Sequence, residues 1–220
     1  MKGLKETAVK FIWHTEQQAL ISFKKEREFV ALYERIKSER GIKVVNPCEA
    51  FNIVRLVKAT SKVEGAIAEL GVYKGGSAKL ICEHKGDKWL HLFDTFLEGL
   101  PTPSAHDTGG LKKGDFSTSL AGVKEYLKEY EKVYYHMGLF PETTKGLEDM
   151  SFSLVNIDAD LYQSTKDAIE FFYPRMSRGG IMLFHDYNGL EGVKKAVNQF
   201  MELQPEPIID LYVSQAAVVL

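Results

Sequence analysis

From about residue 64 onward the chain alternates short apolar runs with stretches of helical spacing. The apolar runs cover residues 66–68, 89–93, 133–135, 152–157, 181–184, 208–213 and 216–220, and turn residues bound each of them. Helical spacing appears between them near residues 77–83, 120–130, 165–173 and 190–201. Strands that alternate with helices predict an α/β protein whose mostly parallel seven-stranded sheet is covered by helices on both faces. Only Ser214-Gln215 separates the last two runs. That gap is too short for a helical crossover, so the seventh strand should run antiparallel to the sixth.

Residues 1–45 follow a different pattern. Phe29, Tyr33 and Ile36 share one helical face, and Lys24, Lys25, Glu26, Glu34 and Arg35 occupy the other. Asn46-Pro47-Cys48-Glu49 then reads as a helix start: Asn caps, Pro suits the first helical position, and Glu three residues on closes a capping box. Ala50, Ile53, Val54 and Val57 supply the buried stripe of that helix. The expected organisation is a helical N-terminal extension or lid over residues 1–62 and a sheet domain over residues 63–220. Residues 97–117, with Gly99, Pro101, Pro103, Gly109, Gly110 and Gly114, form the longest stretch without a period. A loop of that length in a compact domain is usually functional or disordered.

Composition narrows the function classes. A 220-residue chain that is 45% apolar can bury a large core. Its 28 Lys+Arg against 30 Asp+Glu argue against nucleic-acid binding, which needs a clustered basic excess. Cys48 and Cys82 are too few for a disulfide framework, and Met1-Lys2-Gly3-Leu4-Lys5-Glu6 does not read as an export signal. The apolar runs fall short of the ~20 residues that span a bilayer. A cytoplasmic protein without membrane spans is expected.

In open α/β sheets ligands bind beyond the carboxyl ends of the strands. The first strand runs into Gly71-Val72-Tyr73-Lys74-Gly75-Gly76-Ser77, either a tight strand-to-helix turn or a cradle for a nucleotide-like ligand. The spacing is not that of the G-x-G-x-x-G fingerprint. Asp94 ends the second strand about 20 residues further on, where an acidic side chain accepts from a ribose; a loop or capping Asp is the competing reading. Asp158 and Asp160 follow the fourth strand, and His185 and Asp186 the fifth. Carboxylates on neighbouring strand ends can converge on a hard divalent cation, and each taken alone can equally be a helix cap or loop residue. His84, His91 and the cluster Phe171-Phe172-Tyr173 read as packing or capping residues, whereas His106 and His136 are placed where either could face an acceptor.

Glu69 to Ser77, Asp94 to Pro101, Gly138 to Thr143, Asp158 to Thr165, Tyr173-Pro174, Gly179-Gly180 and His185-Asp186-Tyr187, taken in this order, resemble the macrocin-type sugar O-methyltransferases. These form the TylF/MycF group of the class I S-adenosylmethionine (SAM)-dependent methyltransferases, and the resemblance covers about residues 63–201. It implies a Rossmann-like fold and methyl transfer from SAM to a hydroxyl of a sugar or other small natural-product acceptor. By motif position, Glu69, Gly71 and Gly75, with Tyr73 and Ser77, would surround the amino-acid part of SAM. Asp94 with Thr95 would hold the ribose, Gly138 to Phe140 would pass the adenine, and Asp158 would border the cofactor. Asp158 and Asp186 would bind a divalent metal, Mg²⁺ or Mn²⁺, and Asp160 would be the general base.

The chain departs from the family where two adjacent aspartates are common, because the first is His185. Either His185 is a metal ligand that shifts the metal preference, or it is a base, or the site has lost its metal. Leu97 is an extra residue in the second motif. A catechol or phenolic O-methyltransferase is the nearest competing activity, followed by a non-catalytic SAM-binding protein and an NAD-dependent dehydrogenase. The missing fingerprint counts against the last. The amphipathic N-terminal helix and the family together imply a homo-oligomer.

Overall fold

The central strands are buried on both faces, and successive residues enter two different cores. In the computed structural model, which describes residues 26–40 and 45–220, β1 (Ala66–Leu70) turns Ile67 toward one core and Ala66, Ala68 and Leu70 toward another. The remaining strands are β2 (Leu90–Asp94), β3 (Val133–Met137), β4 (Phe152–Ile157), β5 (Met176–Phe184), β6 (Ile209–Asp210) and β7 (Ala216–Val219). Their order is β3-β2-β1-β4-β5-β7-β6. β1 to β5 are parallel, and β7 lies antiparallel between β5 and β6, which bears out the expected orientation of the last strand. β6 is shorter than its apolar run, because Leu211 N–H already turns back to Gln215 O and Tyr212 faces solvent. A stub of this kind leaves little free edge for further pairing.

The described helices are α1 (Arg27–Arg40), α2 (Pro47–Ala59), α3 (Gly76–Cys82), α4 (Leu120–Tyr126), α5 (Tyr162–Phe172) and α6 (Glu191–Met201). On one face Ile53, Val57, Leu80 and Ile81 cover Ile67, Leu90, Leu92 and Leu154. On the other, Ile169, Phe172, Val193 and Val197 cover Phe93, Phe152, Val155 and Met182.

α2 begins with the expected capping box: Asn46 Oδ1 accepts from Cys48 N–H, and Glu49 accepts from Asn46 N–H. Phe29, Tyr33 and Ile36 of α1 belong to the same core as the sheet, so no break in packing separates these helices from it at residue 63. Arg35 pairs with Glu83 at 2.6 Å and Glu39 with Lys79 at 3.0 Å, which ties α1 to α3. The pattern over residues 1–25, including Lys24 and Lys25, and over 41–44 lies outside the described residues. No helix among the described residues is long and apolar enough to cross a membrane.

Candidate active site

Strand order reverses between β1 and β4, and a crevice opens there beyond the strand ends. It holds a cavity of about 590 Å³, within the range of small-molecule sites. Gly71 brings β1 against β4 at its floor. Its φ is +87°, and a Cβ at that position would lie 1.8 Å from the Asp158 carbonyl oxygen. Asp94 shapes the turn that follows: Oδ2 accepts from Val72 and Tyr73 N–H at 2.8 Å each, and Oδ1 from Phe96 N–H at 2.5 Å. The same carboxylate lines the cavity, alongside Gly71, Tyr73, Lys74 and Thr95. Gly138, Leu139 and Phe140 form the wall next to it, and Gly99, Leu100, Pro101, Asp115 and Phe116 of the long loop form another. Tyr73 and Phe116 meet edge to face at 5.6 Å.

Glu69, Gly75 and Ser77 stand behind this wall, all three buried. Glu69 Oε1 accepts from Asn156 Nδ2 at 2.9 Å, and Oε2 has no hydrogen-bond partner among the described residues. Burial pushes the Glu69 carboxyl up to about 8, the charges of Asp158 and Asp94 push the same way, and hydrogen bonding opposes them. Burial thus favours the protonated form of Glu69.

Along the same cavity, beside the Gly71 turn, one oxygen from each of Asp158, Asp160 and Asp186 lies within 4.8 Å of the others. Burial raises all three carboxyls above the usual range, and their mutual charge raises Asp158 and Asp160 further. Asp160 and Asp186 hold φ of +58° and +56° to point this way, conformations that non-glycine residues adopt at a cost.

His185 is not part of that group. Its Nε2 meets the Gln215 side-chain amide at 3.0 Å, and Gln215 Oε1 accepts from Asn52 Nδ2 at 2.8 Å. Gln215 so oriented donates to Nε2, which leaves the ring proton on Nδ1, 3.9 Å from Asp158 Oδ2. Burial lowers the His185 pKa, against the charges of Glu49 and Asp186, which raise it. The carboxylates gathered by the fold are thus Asp158, Asp160 and Asp186, with His185 behind Asp158.

Glu49 and Val45, from the start of α2, also line the cavity. Glu49 Oε1 accepts from the Ser214 hydroxyl and from Ser214 N–H. No local pattern marks Glu49, Asn52 or Gln215 as site residues, because only the packing of α2 against the segment that leads into β7, beside β5, brings them to His185. His106 and His136 do not line the cavity. His106 packs on Tyr162, and His136 pairs with buried His91 at 2.9 Å. His91 is packed, as expected, and His84 Nδ1 bonds Leu80 O at its helix end.

This architecture is that of solved O-methyltransferases. NovP superposes with a TM-score of 0.69 at 22% identity over 80% of both chains. The calicheamicin methyltransferase CalS11 gives 0.69 at 20% identity, over 89% of this chain and 92% of that one. The fold is therefore the class I methyltransferase fold. The family model described as Macrocin-O-methyltransferase (TylF) matches residues 50–214, and the chain belongs to that family.

Among curated relatives, 8-demethyl-8-(2,3-dimethoxy-alpha-L-rhamnosyl)-tetracenomycin-C 4'-O-methyltransferase of Streptomyces olivaceus is 28% identical over 154 residues, 63% of this chain and 58% of the relative. Mycinamicin III 3''-O-methyltransferase of Micromonospora griseorubida is 26% identical over 158 residues, 64% of this chain and 61% of the relative. The chain spans about three fifths of the length of the curated relatives it matches.

Proposed function

We propose that this protein transfers a methyl group from SAM to a hydroxyl of a sugar-bearing small molecule, giving the methyl ether and S-adenosylhomocysteine. The observation that carries this reading is one cavity lined both by the glycine turn with Asp94 and by three converging carboxylates. The names of the relatives, which describe methylation of a rhamnosyl-tetracenomycin and of mycinamicin III, support a glycosidic acceptor. The donor set suits a hard divalent cation such as Mg²⁺ or Mn²⁺, since among the described residues no Lys or Arg pairs with Asp158, Asp160 or Asp186. A bound cation supplies the positive charge that lowers the pKa of an acceptor hydroxyl.

In this reading Asp158 and Asp186 hold the cation, and Asp160 accepts the hydroxyl proton. Burial raises its basicity, the property a general base needs near neutral pH. His185 stands next to Asp158, with Nδ1 3.9 Å from Oδ2, and packs against the carboxylate without hydrogen-bonding it. Asp94 already accepts three backbone N–H groups, and a carboxylate with about four lone-pair sites keeps room for one ribose hydroxyl. Phe116, Leu100 and Pro101 of the long loop exclude water from the acceptor end.

Calorimetric titration of the metal-stripped protein with SAM and with NAD, repeated after adding Mn²⁺, tests the cofactor class. SAM should bind and NAD should not, and absence of SAM binding in every condition would overturn the reading. Asp158→Asn should abolish turnover while SAM affinity stays nearly intact. Equal loss of both would count against the assignment of the carboxylate end.

A further inference from the structure

The loop of residues 97–117 is fastened at two places. Its base closes on itself, with Leu100 N–H donating to Asp115 O at 2.8 Å and Gly114 N–H to Leu100 O at 2.9 Å. Its tip is held by Asp107. One carboxylate oxygen, Oδ2, accepts from Ser104 N–H at 2.7 Å and from the Ser104 hydroxyl at 2.6 Å, which folds the tip. The other, Oδ1, accepts from Tyr162 N–H at 2.7 Å.

Tyr162 opens α5, and Leu161 before it contributes no side-chain cap. Asp107 therefore caps α5 from 55 residues away in the chain. The capped residue comes two positions after Asp160, so the bond falls at the end of the turn that carries Asp158 and Asp160.

Neighbouring contacts are shaped around this bond. His106 packs edge-on against Tyr162 at 4.4 Å and accepts from Lys195 Nζ at 3.0 Å. Thr108 reaches Glu191 at 3.4 Å. Gly192 of α6 leaves the room the carboxylate occupies: a Cβ there would lie 2.2 Å from Asp107 Oδ1.

We infer that Asp107 is a positioning residue that latches the loop onto the carboxylate turn, so that the acceptor-side wall and Asp158–Asp160 are held in register as one unit. The latch stands on its own contacts, whereas its consequence for cation binding rests on the methyl-transfer reading. Asp94 takes its hydrogen bonds from Val72, Tyr73 and Phe96 rather than from the loop tip, so its hold on a ribose should change less than the carboxylate turn.

Hydrogen exchange and tryptic cleavage of the full chain test the latch without requiring activity. Losing a helix cap should raise local opening about five- to thirtyfold. In Asp107→Ala, exchange at the Tyr162 amide and cleavage after the exposed Lys112 and Lys113 should accelerate by that factor, with strands β1 to β5 unchanged. Gly192→Ala should give the same local opening by displacing the carboxylate, even though alanine is the better helix former. It serves as the second probe should Asp107→Ala fail to fold. Asp107→Asn keeps one acceptor and should restore part of the protection.

Mn²⁺ affinity should fall in Asp107→Ala, because the cation binds the turn only when it is closed, while SAM affinity stays within twofold. Unchanged exchange at Tyr162 and unchanged cleavage in Asp107→Ala and Gly192→Ala would overturn the latch. Accelerated exchange with unaltered Mn²⁺ affinity would overturn the positioning role. Failure of the wild-type protein to bind Mn²⁺ or SAM would instead count against the methyl-transfer reading, and the exchange data would still decide the latch.

Discussion

Gly71→Ala measures how tightly β1 and β4 are joined at the floor of the cavity. Gly71 holds φ +87°, where a side chain costs about 1–2 kcal/mol. The new Cβ would stand 1.8 Å from Asp158 O, whereas ordinary contact begins at 3.4 Å, so one strand end must retreat. That retreat strains two bonds across the switch point, Asp158 N–H to Leu70 O at 2.8 Å and Gly71 N–H to Phe93 O at 3.0 Å. At about 0.5–1.5 kcal/mol each, they bring the expected loss to roughly 2–5 kcal/mol.

For a chain of this size each kcal/mol lowers Tm by about 2–4 °C, so Tm should fall by about 4–20 °C. Gly86→Ala is the control, because Gly86 has φ +57° and no atom lies within 4 Å of the place a methyl would take, so only the backbone cost applies. Urea unfolding of the two variants beside wild type isolates the contribution of the contact. The reasoning fails if Gly71→Ala is no less stable than Gly86→Ala. SAM affinity should fall only in Gly71→Ala, since Gly71 and Asp158 both border the cavity.

Other expectations follow from burial and charge. Glu69→Gln mimics the neutral acid and should match wild type near pH 5. The stability that wild type draws from protonated Glu69 is full below its unfolded value and is lost as pH rises through about 8, so the variant should gain about 1.4 kcal/mol per pH unit within that window. Denaturation from pH 5 to 9 checks this, and parallel curves would refute it. The raised carboxyls of Asp158, Asp160 and Asp186 have the same sign, so without metal their contribution is full below the unfolded value and declines with rising pH. The gain in Tm on adding Mn²⁺ should therefore be larger at pH 8 than at pH 5, and the reverse order would sink the assignment. Phe172→Ala, at a fully buried ring packed on Phe93, Phe140 and Phe152, should cost about 3–5 kcal/mol in chemical denaturation.

The strands were legible as short apolar runs bounded by turn residues, because β1, β2 and β4 are buried on both faces, and the last orientation was legible because Ser214-Gln215 leaves no room for a crossover. The cavity's acids were legible one by one, as residues at strand ends. Their grouping was not: whether Asp186 meets Asp160 or only Asp158 depends on positive φ values that no hydrophobic pattern encodes. The place of His185 depends on Gln215 and Asn52, and the latter lies in a helix of the N-terminal segment. The loop has no period because its order comes from Asp107 and backbone closures rather than from a buried face. Within the described residues, Phe29, Tyr33 and Ile36 pack into the same core as the sheet.

Seven non-glycine residues among those described hold positive φ, and four of them, Tyr73, Phe116, Asp160 and Asp186, line the cavity. Someone seeking a hardier protein by replacing strained residues with glycine would come to these four early. Each replacement would relax the backbone and remove a side chain that the cavity presents. Engineering for heat resistance should therefore turn to Lys132 and Val213, where the same conformation carries no side chain into the cavity.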